Sequence, residues 1–187
     1  RGYRACLAAD LMNTAGQTAT PKGLVESLRA NRFAALAAGL GRMTLSGHVA
    51  TPDFGLRQRF LAVVTDAPLE ATAPAAEVDE LLCDTCDRPC VAECPSAAFS
   101  AEEIVLDVGE RKERLLRVDP KRCDWSRRYA LTKACGFGCL GSEVDIPPPA
   151  SITPEALQQA LAQHDPIKRI RPAVAEPCVL RCPYAGG

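Results

Sequence analysis

The chain has 187 residues, 47% of them hydrophobic and 24% charged, with a formal net charge of −1. That length holds one sizeable core, or one core with a satellite domain, and the charge argues against a general nucleic-acid binder. No apolar run approaches the ~18 residues of a membrane span, and no signal peptide is visible.

Leu24 to Leu40 carries Leu24, Leu28, Phe33, Leu36, Ala37 and Leu40 at approximately helical spacing, with Pro21 near its start and Gly39 and Gly41 at its end. Thr51 to Gly55 reads as a turn. Arg59 to Asp66 is apolar and β-branched enough for a buried strand. Residues 67–78, rich in Ala and Pro, read as a linker. The second part begins near Glu80. Ile104 to Val108 and Leu115 to Val118 flank Gly109-Glu110 as a β-hairpin. The basic residues between Arg111 and Arg128 read as a solvated hairpin that offsets negative charge nearby, with docking of an anionic partner such as tRNA as the alternative. Thr153 to Gln163 predicts a helix, with Pro154 at its first position and Pro166 beyond its end. With aromatics at only 5%, the core must rest on Ala, Leu and Val, while 15 prolines and 13 glycines mark a loop-rich portion.

Between these elements lie ten cysteines, four of them in one window: Cys83-Asp-Thr-Cys86-Asp-Arg-Pro-Cys90-Val-Ala-Glu-Cys94-Pro95. The run nearly matches C-x2-C-x2-C-x3-C-P, the spacing that wraps a 4Fe–4S cluster, with one extra residue between the second and third cysteines. Short gaps let one loop curl around three corners of a cube, and soft thiolate is the ligand such clusters select. The fourth cysteine lies too far along to reach the same cube, and in two-cluster ferredoxins it ligates the other one. Cys94 therefore asks for a second set of thiols, and the chain supplies Cys123, Cys135, Cys139, Cys178 and Cys182. Cys178 and Cys182 form a second half-motif with its own Cys-Pro, and the glycines between Cys135 and Cys139 let backbone approach a cluster closely. Two clusters with four thiolates each, at roughly −2 apiece, would bring the protein to about −5. Two rivals compete. A disulfide framework is disfavoured because the cysteine share lies below the ~8–10% of disulfide scaffolds. A zinc-stabilised structural module uses separated cysteine pairs or mixed cysteine and histidine, whereas the chain has only His48 and His164.

Ala38-Gly39-Leu40-Gly41, then Thr51-Pro52-Asp53-Phe54-Gly55, Arg57-Gln58-Arg59-Phe60 and Val64-Thr65-Asp66-Ala67-Pro68-Leu69-Glu70, resemble the end of the cobalamin domain in epoxyqueuosine reductases and the related reductive dehalogenases. The resemblance covers most of residues 34–145. It implies an α+β protein: residues 1–70 as the remnant of an α/β corrinoid-type domain, and residues 79–187 as a loop-rich, ferredoxin-like domain binding two 4Fe–4S clusters, with an inserted helix at about 153–165. It further implies single-electron transfer from a soluble donor such as ferredoxin or flavodoxin toward a corrinoid, as the redox module of an oxidoreductase. Carried over by position, Cys83, Cys86 and Cys90 bind one cluster with Cys182, or Cys178 in its place. Cys94, Cys123, Cys135 and Cys139 bind the other. Most of the corrinoid domain would precede Arg1. No position matches the family's catalytic acid; Asp10 is the nearest candidate. The alternative is a stand-alone electron carrier or interaction subunit without enzyme chemistry.

Thiols poised for cluster assembly need a reducing compartment, so the expected location is the cytoplasm, with no membrane partner. Trp125 and Tyr129 read as core packing before cluster shielding. His48 reads as a hydrogen-bonded structural histidine before a ligand, and Cys6 as unligated. Positive charge at Arg122 and Arg127 would raise a nearby cluster's potential, because it stabilises the reduced state.

Overall fold

The computed structural model describes residues 2–7, 17–20, 23–26, 31–71, 82–131, 144–166 and 175–185. Among these, every paired strand is antiparallel, and they form four separate two-stranded sheets with short helices between them. In chain order the first elements are β1 (Ala5–Leu7), β2 (Gln17–Thr20), β3 (Gly23–Glu26), α1 (Asn31–Ala37), β4 (Arg42–Met43), β5 (Val49–Ala50) and β6 (Val63–Thr65). Then follow α2 (Pro89–Ala92), β7 (Phe99–Val108), β8 (Arg111–Val118), α3 (Pro120–Arg128), α4 (Pro154–Gln163) and α5 (Pro177–Leu180).

The hairpin β7–β8 is the largest element and the scaffold for the rest. It turns on Gly109, whose φ of 61° suits the first position of a two-residue hairpin loop. Successive side chains of a strand point to opposite faces, and β8 buries both of its leucines. Leu115 joins Leu36, Met43 and Val49, with Phe33, Phe60, Ile104, Leu106 and Val108 packed around them. Leu116 joins Leu45 and Cys83, with Val91 and Phe99 beside them. One face of the hairpin thus holds α1, β4 and β5, and the other backs the cysteine run.

Residues 33–60 and 99–118 bury apolar side chains against each other, across the expected division near residues 70–79. The strand expected at 59–66 differs. It is confined to Val63–Thr65 and pairs only with Ala5–Leu7. Val63 and Val64 are 55% and 63% exposed, because no layer covers them among the described residues. Of the helix expected over 24–40, the described part is Asn31–Ala37, and Gly23–Glu26 pairs instead with Gln17–Thr20. Gly23 and the β-branched Val25 favour extended backbone over helix there. Its predicted end is in place: Gly39, at φ 68°, and Leu40 donate backwards to Leu36 O and Ala35 O, a glycine-terminated cap. The linker is described only to residue 71, and that stretch has no regular structure. Asp10 and Pro21 lie outside the described residues.

Gly41 shows why the loop before β4 needs its glycine. A Cβ at this position would run into the Ala50 carbonyl oxygen and press on Val49. Gly41→Ala is expected to cost about 1–3 kcal/mol, the range for overpacking a filled site. Urea denaturation reads the loss, and an unchanged midpoint would contradict the close approach.

The basic stretch is a hairpin only as far as Val118. Asp119 then caps α3 by accepting from the Lys121 and Arg122 amides, with Pro120 at the first position. Many of its cations are paired. Arg114 meets Asp84 and Glu103, Arg117 meets Glu102, Lys112 meets Asp107, and Arg128 meets Asp124. Arg122 donates to the carbonyls of Ser96, Pro149 and Ala150. α4 has the expected start, with the Thr153 hydroxyl accepting from the Ala156 amide. It docks through Ala160 on Trp125 and Tyr129, whose rings lie 4.8 Å apart. The Trp125 indole donates to Ile146 O at 2.8 Å. These two aromatics pack the core that joins α3 to α4. No described helix is long and apolar enough to cross a membrane.

Candidate metal centre

Cys83 sits in a single 3₁₀ turn, Leu82–Asp84, and Cys90 is the second residue of α2. The chain then crosses β7, β8, α3 and α4 before α5 returns to pack on α2. Cys182 follows α5 directly, ahead of a closing 3₁₀ turn at Pro183–Ala185. Together Cys83, Cys86, Cys90 and Cys182 line one pocket of about 340 Å³ of non-atom space, which includes its open mouth. The turn at Thr44–Ser46 forms another wall, and Arg88 and Tyr184 contribute to the lining. The Leu56 amide donates to Tyr184 O at 2.8 Å, which anchors the closing segment to the first part of the chain.

From their first proline onward, the two cysteine turns have the same local geometry. Pro89-Cys90-Val91-Ala92-Glu93-Cys94-Pro95 and Pro177-Cys178-Val179-Leu180-Arg181-Cys182-Pro183 share proline, cysteine, valine, cysteine and proline in register. Each begins a four-residue helix with proline, which needs no amide partner at that point. In both, the residue before the second cysteine donates to the first proline's carbonyl at 2.9 Å. The cysteine itself donates to the valine carbonyl, at 3.2 Å for Cys94 and 3.3 Å for Cys182. The sequence reading saw the second Cys-Pro but missed this repeat.

The repeat pairs the cysteines crosswise. Cys90 shares its pocket with Cys182, the last cysteine of the other turn. Cys178 lies within electrostatic reach of Cys123 and Cys94, and less strongly of Cys90. Cys123, on α3, feels Cys94 in turn. The structure therefore places Cys182 with the first group, and Cys178 with Cys94 and Cys123. Cys135 and Cys139 lie outside the described residues. The eight described cysteines are free of disulfides, and Cys6 stands apart and exposed in β1.

The thiol environments are costly for bare thiolates. Burial pushes up Cys83 and Cys90, and their thiolate neighbours push further. Burial likewise raises Cys182 and Cys123 to about 11 each, and Cys178 well above the usual thiol value. A cationic core would reverse that cost, since metal binding takes the thiolate form. Backbone donors already face the sulfurs. The Ala98 amide donates to Cys94 Sγ at 3.3 Å, and backbone hydrogen bonds from Leu45 and Tyr184 stabilise the Cys83 and Cys182 thiolates. Hydrogen bonds to sulfur are among the features that set cluster potentials.

Among the described residues, no group of three His, Cys, Asp or Glu side chains is arranged to hold a metal ion. A tetrahedral zinc needs its thiolates at ~2.3 Å from one centre. Four cysteines and no histidine line the pocket, a soft donor set that suits a tetrahedral zinc or a polynuclear core taking thiolates at its corners.

His48 stands behind the pocket wall. The Thr44 hydroxyl donates to His48 O at 2.9 Å, so it accepts from Ser46 Oγ at 2.9 Å. Ser46 Oγ therefore accepts from His48 Nδ1, 3.1 Å away. Desolvation and the nearby charges of Arg32 and Arg59 hold the imidazole pKa near 4. The folded protein keeps this ring neutral, whereas the unfolded chain protonates it near 6.5. Stability from this group is thus complete above pH 6.5 and is lost as pH falls toward 4, by up to about 3 kcal/mol. His48→Gln should flatten the acid limb of a Tm-against-pH curve; an unaltered limb would show that His48 does not cause it.

Comparison with protein-family models, with curated proteins and with solved structures finds no match. The likeness to epoxyqueuosine reductases accordingly rests on the motifs of residues 34–145 alone.

Proposed function

We propose that this chain is an iron–sulfur electron-transfer protein that holds two 4Fe–4S clusters and passes single electrons between them. The observation that carries the proposal is the pocket on which Cys83, Cys86 and Cys90 meet Cys182 from a segment far along the chain. The first cluster would take these four thiolates. The second would take Cys94, Cys123 and Cys178, with its fourth thiolate from the Cys135–Cys139 loop. When bound, each cluster supplies a one-electron couple at a potential set by burial, sulfur hydrogen bonds and charge. The chain's own part is to exclude water and orient the sulfurs. Trp125 and Tyr129 hold α3, and so Cys123, against α4. Leu45, Leu116, Val91 and Phe99 pack around Cys83.

Protein purified without oxygen should be brown and hold about eight irons per chain, as two cubanes require. Colourless protein holding only zinc would decide for a structural zinc module. The finer reading, a redox module serving a cobalamin-dependent reductase in the cytoplasm, draws on the motifs resembling epoxyqueuosine reductases. Titrating a corrinoid into the iron-loaded chain tests it: a change in the corrinoid spectrum supports the reductase part, and its absence favours a stand-alone carrier. The paired cations of β8 and α3 leave less free charge for an anionic partner such as tRNA.

A further inference from the structure

The two Pro-Cys-Val-x-x-Cys-Pro turns differ in the residue that precedes them. It is Arg88 in one and Glu176 in the other, and each is the N-cap of its helix. These positions correspond in the repeat and carry opposite charge. We propose that Arg88 and Glu176 split the reduction potentials of the two clusters, raising the first above the second, so that the first is reduced before the second. This inference rests on the two-cluster reading.

Arg88 is part of the extra length between Cys86 and Cys90, where the sequence reads Asp87-Arg88-Pro89. It adopts a left-handed backbone, φ 51°, which is unfavourable for a residue with a side chain. In that conformation it lines the pocket of the first four cysteines, and its Nη2 reaches Glu103 at 3.5 Å. Arg114, whose positive charge acts on Cys83, is paired with Asp84, and it shares Glu103 with Arg88. Reduction adds a negative charge to the pocket, so a guanidinium on its wall favours the reduced state.

Glu176 does the opposite at the second group. It is 7% exposed. Ser126 Oγ donates to its Oε2 at 3.1 Å, and Arg127 Nε lies 3.9 Å from its Oε1. At Cys123 the carboxylate is the largest charge effect and exceeds that of Arg127. At Cys178 it is again the largest, ahead of the neighbouring cysteines. At Cys123 its negative charge therefore outweighs the positive charge of Arg127. A buried charge is poorly screened, whereas the Arg88 side chain is 46% exposed. The Glu176 effect should be the greater.

The test is a dithionite titration of the iron-loaded full chain, followed by electron paramagnetic resonance, which resolves two one-electron steps. Glu176→Gln should move the lower step about tenfold toward the reduced form, equivalent to about 59 mV upward. Arg88→Gln should move the upper step downward by about threefold. Arg88→Lys, which keeps the charge and the backbone demand, should restore it. Should Glu176→Gln fail to hold both clusters, Arg127→Gln serves in its place and must lower the same step. Eight irons with unmoved steps, or both variants moving the same step, would overturn the inference and leave the proposed function standing. Wild-type protein without iron would overturn both.

Discussion

Cys182→Ala is expected to halve the iron content, from about eight to about four per chain, and Cys178→Ala to halve it by removing the other cluster. The two losses should be spectroscopically distinct although the residues lie four apart in one turn. Cys182 faces Cys83, Cys86 and Cys90, and Cys178 sees Cys94 and Cys123. The double variant should hold almost no iron, while exposed Cys6→Ala should hold the full complement. Iron determination with electron paramagnetic resonance on each variant decides the matter. If Cys178→Ala kept all its iron, the crosswise pairing would fail, and the second cluster would have to take a different thiolate in place of Cys178.

That Cys83, Cys86 and Cys90 line one pocket was legible in their spacing, which follows from how far a short loop reaches. What spacing could not decide was the choice between Cys178 and Cys182, because that depends on how α5 lies on α2. The shared Pro-Cys-Val-x-x-Cys-Pro string was nevertheless a legible sign of two similar turns. Capped helices were legible where a side chain and a proline act locally, at Thr153-Pro154 and Asp119-Pro120. Helix periodicity misled at Gly23–Glu26, where pairing with Gln17–Thr20 overrides it. The buried strand expected at 59–66 failed for the opposite reason. Its apolar composition suited burial, but a strand is buried only by neighbours, and β6 has one strand beside it. Leu115 and Leu116, adjacent in sequence, serve two different cores because they lie on opposite faces of β8.

Glu113→Ala should destabilise the fold by about 3 kcal/mol, the lower end of the range for breaking a buried ion pair. Glu113 is 1% exposed, at the strand position of β8 that faces β4. Its Oε1 accepts from Arg42 Nε at 2.8 Å and its Oε2 from the Met43 amide at 3.0 Å. Truncation would strand the Met43 donor and leave the Arg42 charge without its partner, and a buried group left unpaired costs more than the bond itself gave. The Arg42 side chain is 27% exposed, so water recovers part of that loss and the lower end applies. Anaerobic urea denaturation measures the change. A loss under about 1 kcal/mol would mean that β4 is held to β8 by its apolar neighbours Met43 and Leu115 alone. Since Leu45, two residues beyond Met43, forms part of the pocket wall, the variant should also release iron faster to a chelator.

The last wall of the first pocket is made by Cys182 and its neighbours, nearly a hundred residues after Cys83. A ribosome adding ~5–20 residues per second needs roughly 5–20 s to cover that interval. Throughout it, three nascent thiols stand near one another with nothing to close over them. Newly made chains therefore pass through a window in which oxidation or metal capture competes with closure of the pocket. Slow translation, or a stop codon anywhere before residue 182, would leave the protein in that vulnerable form.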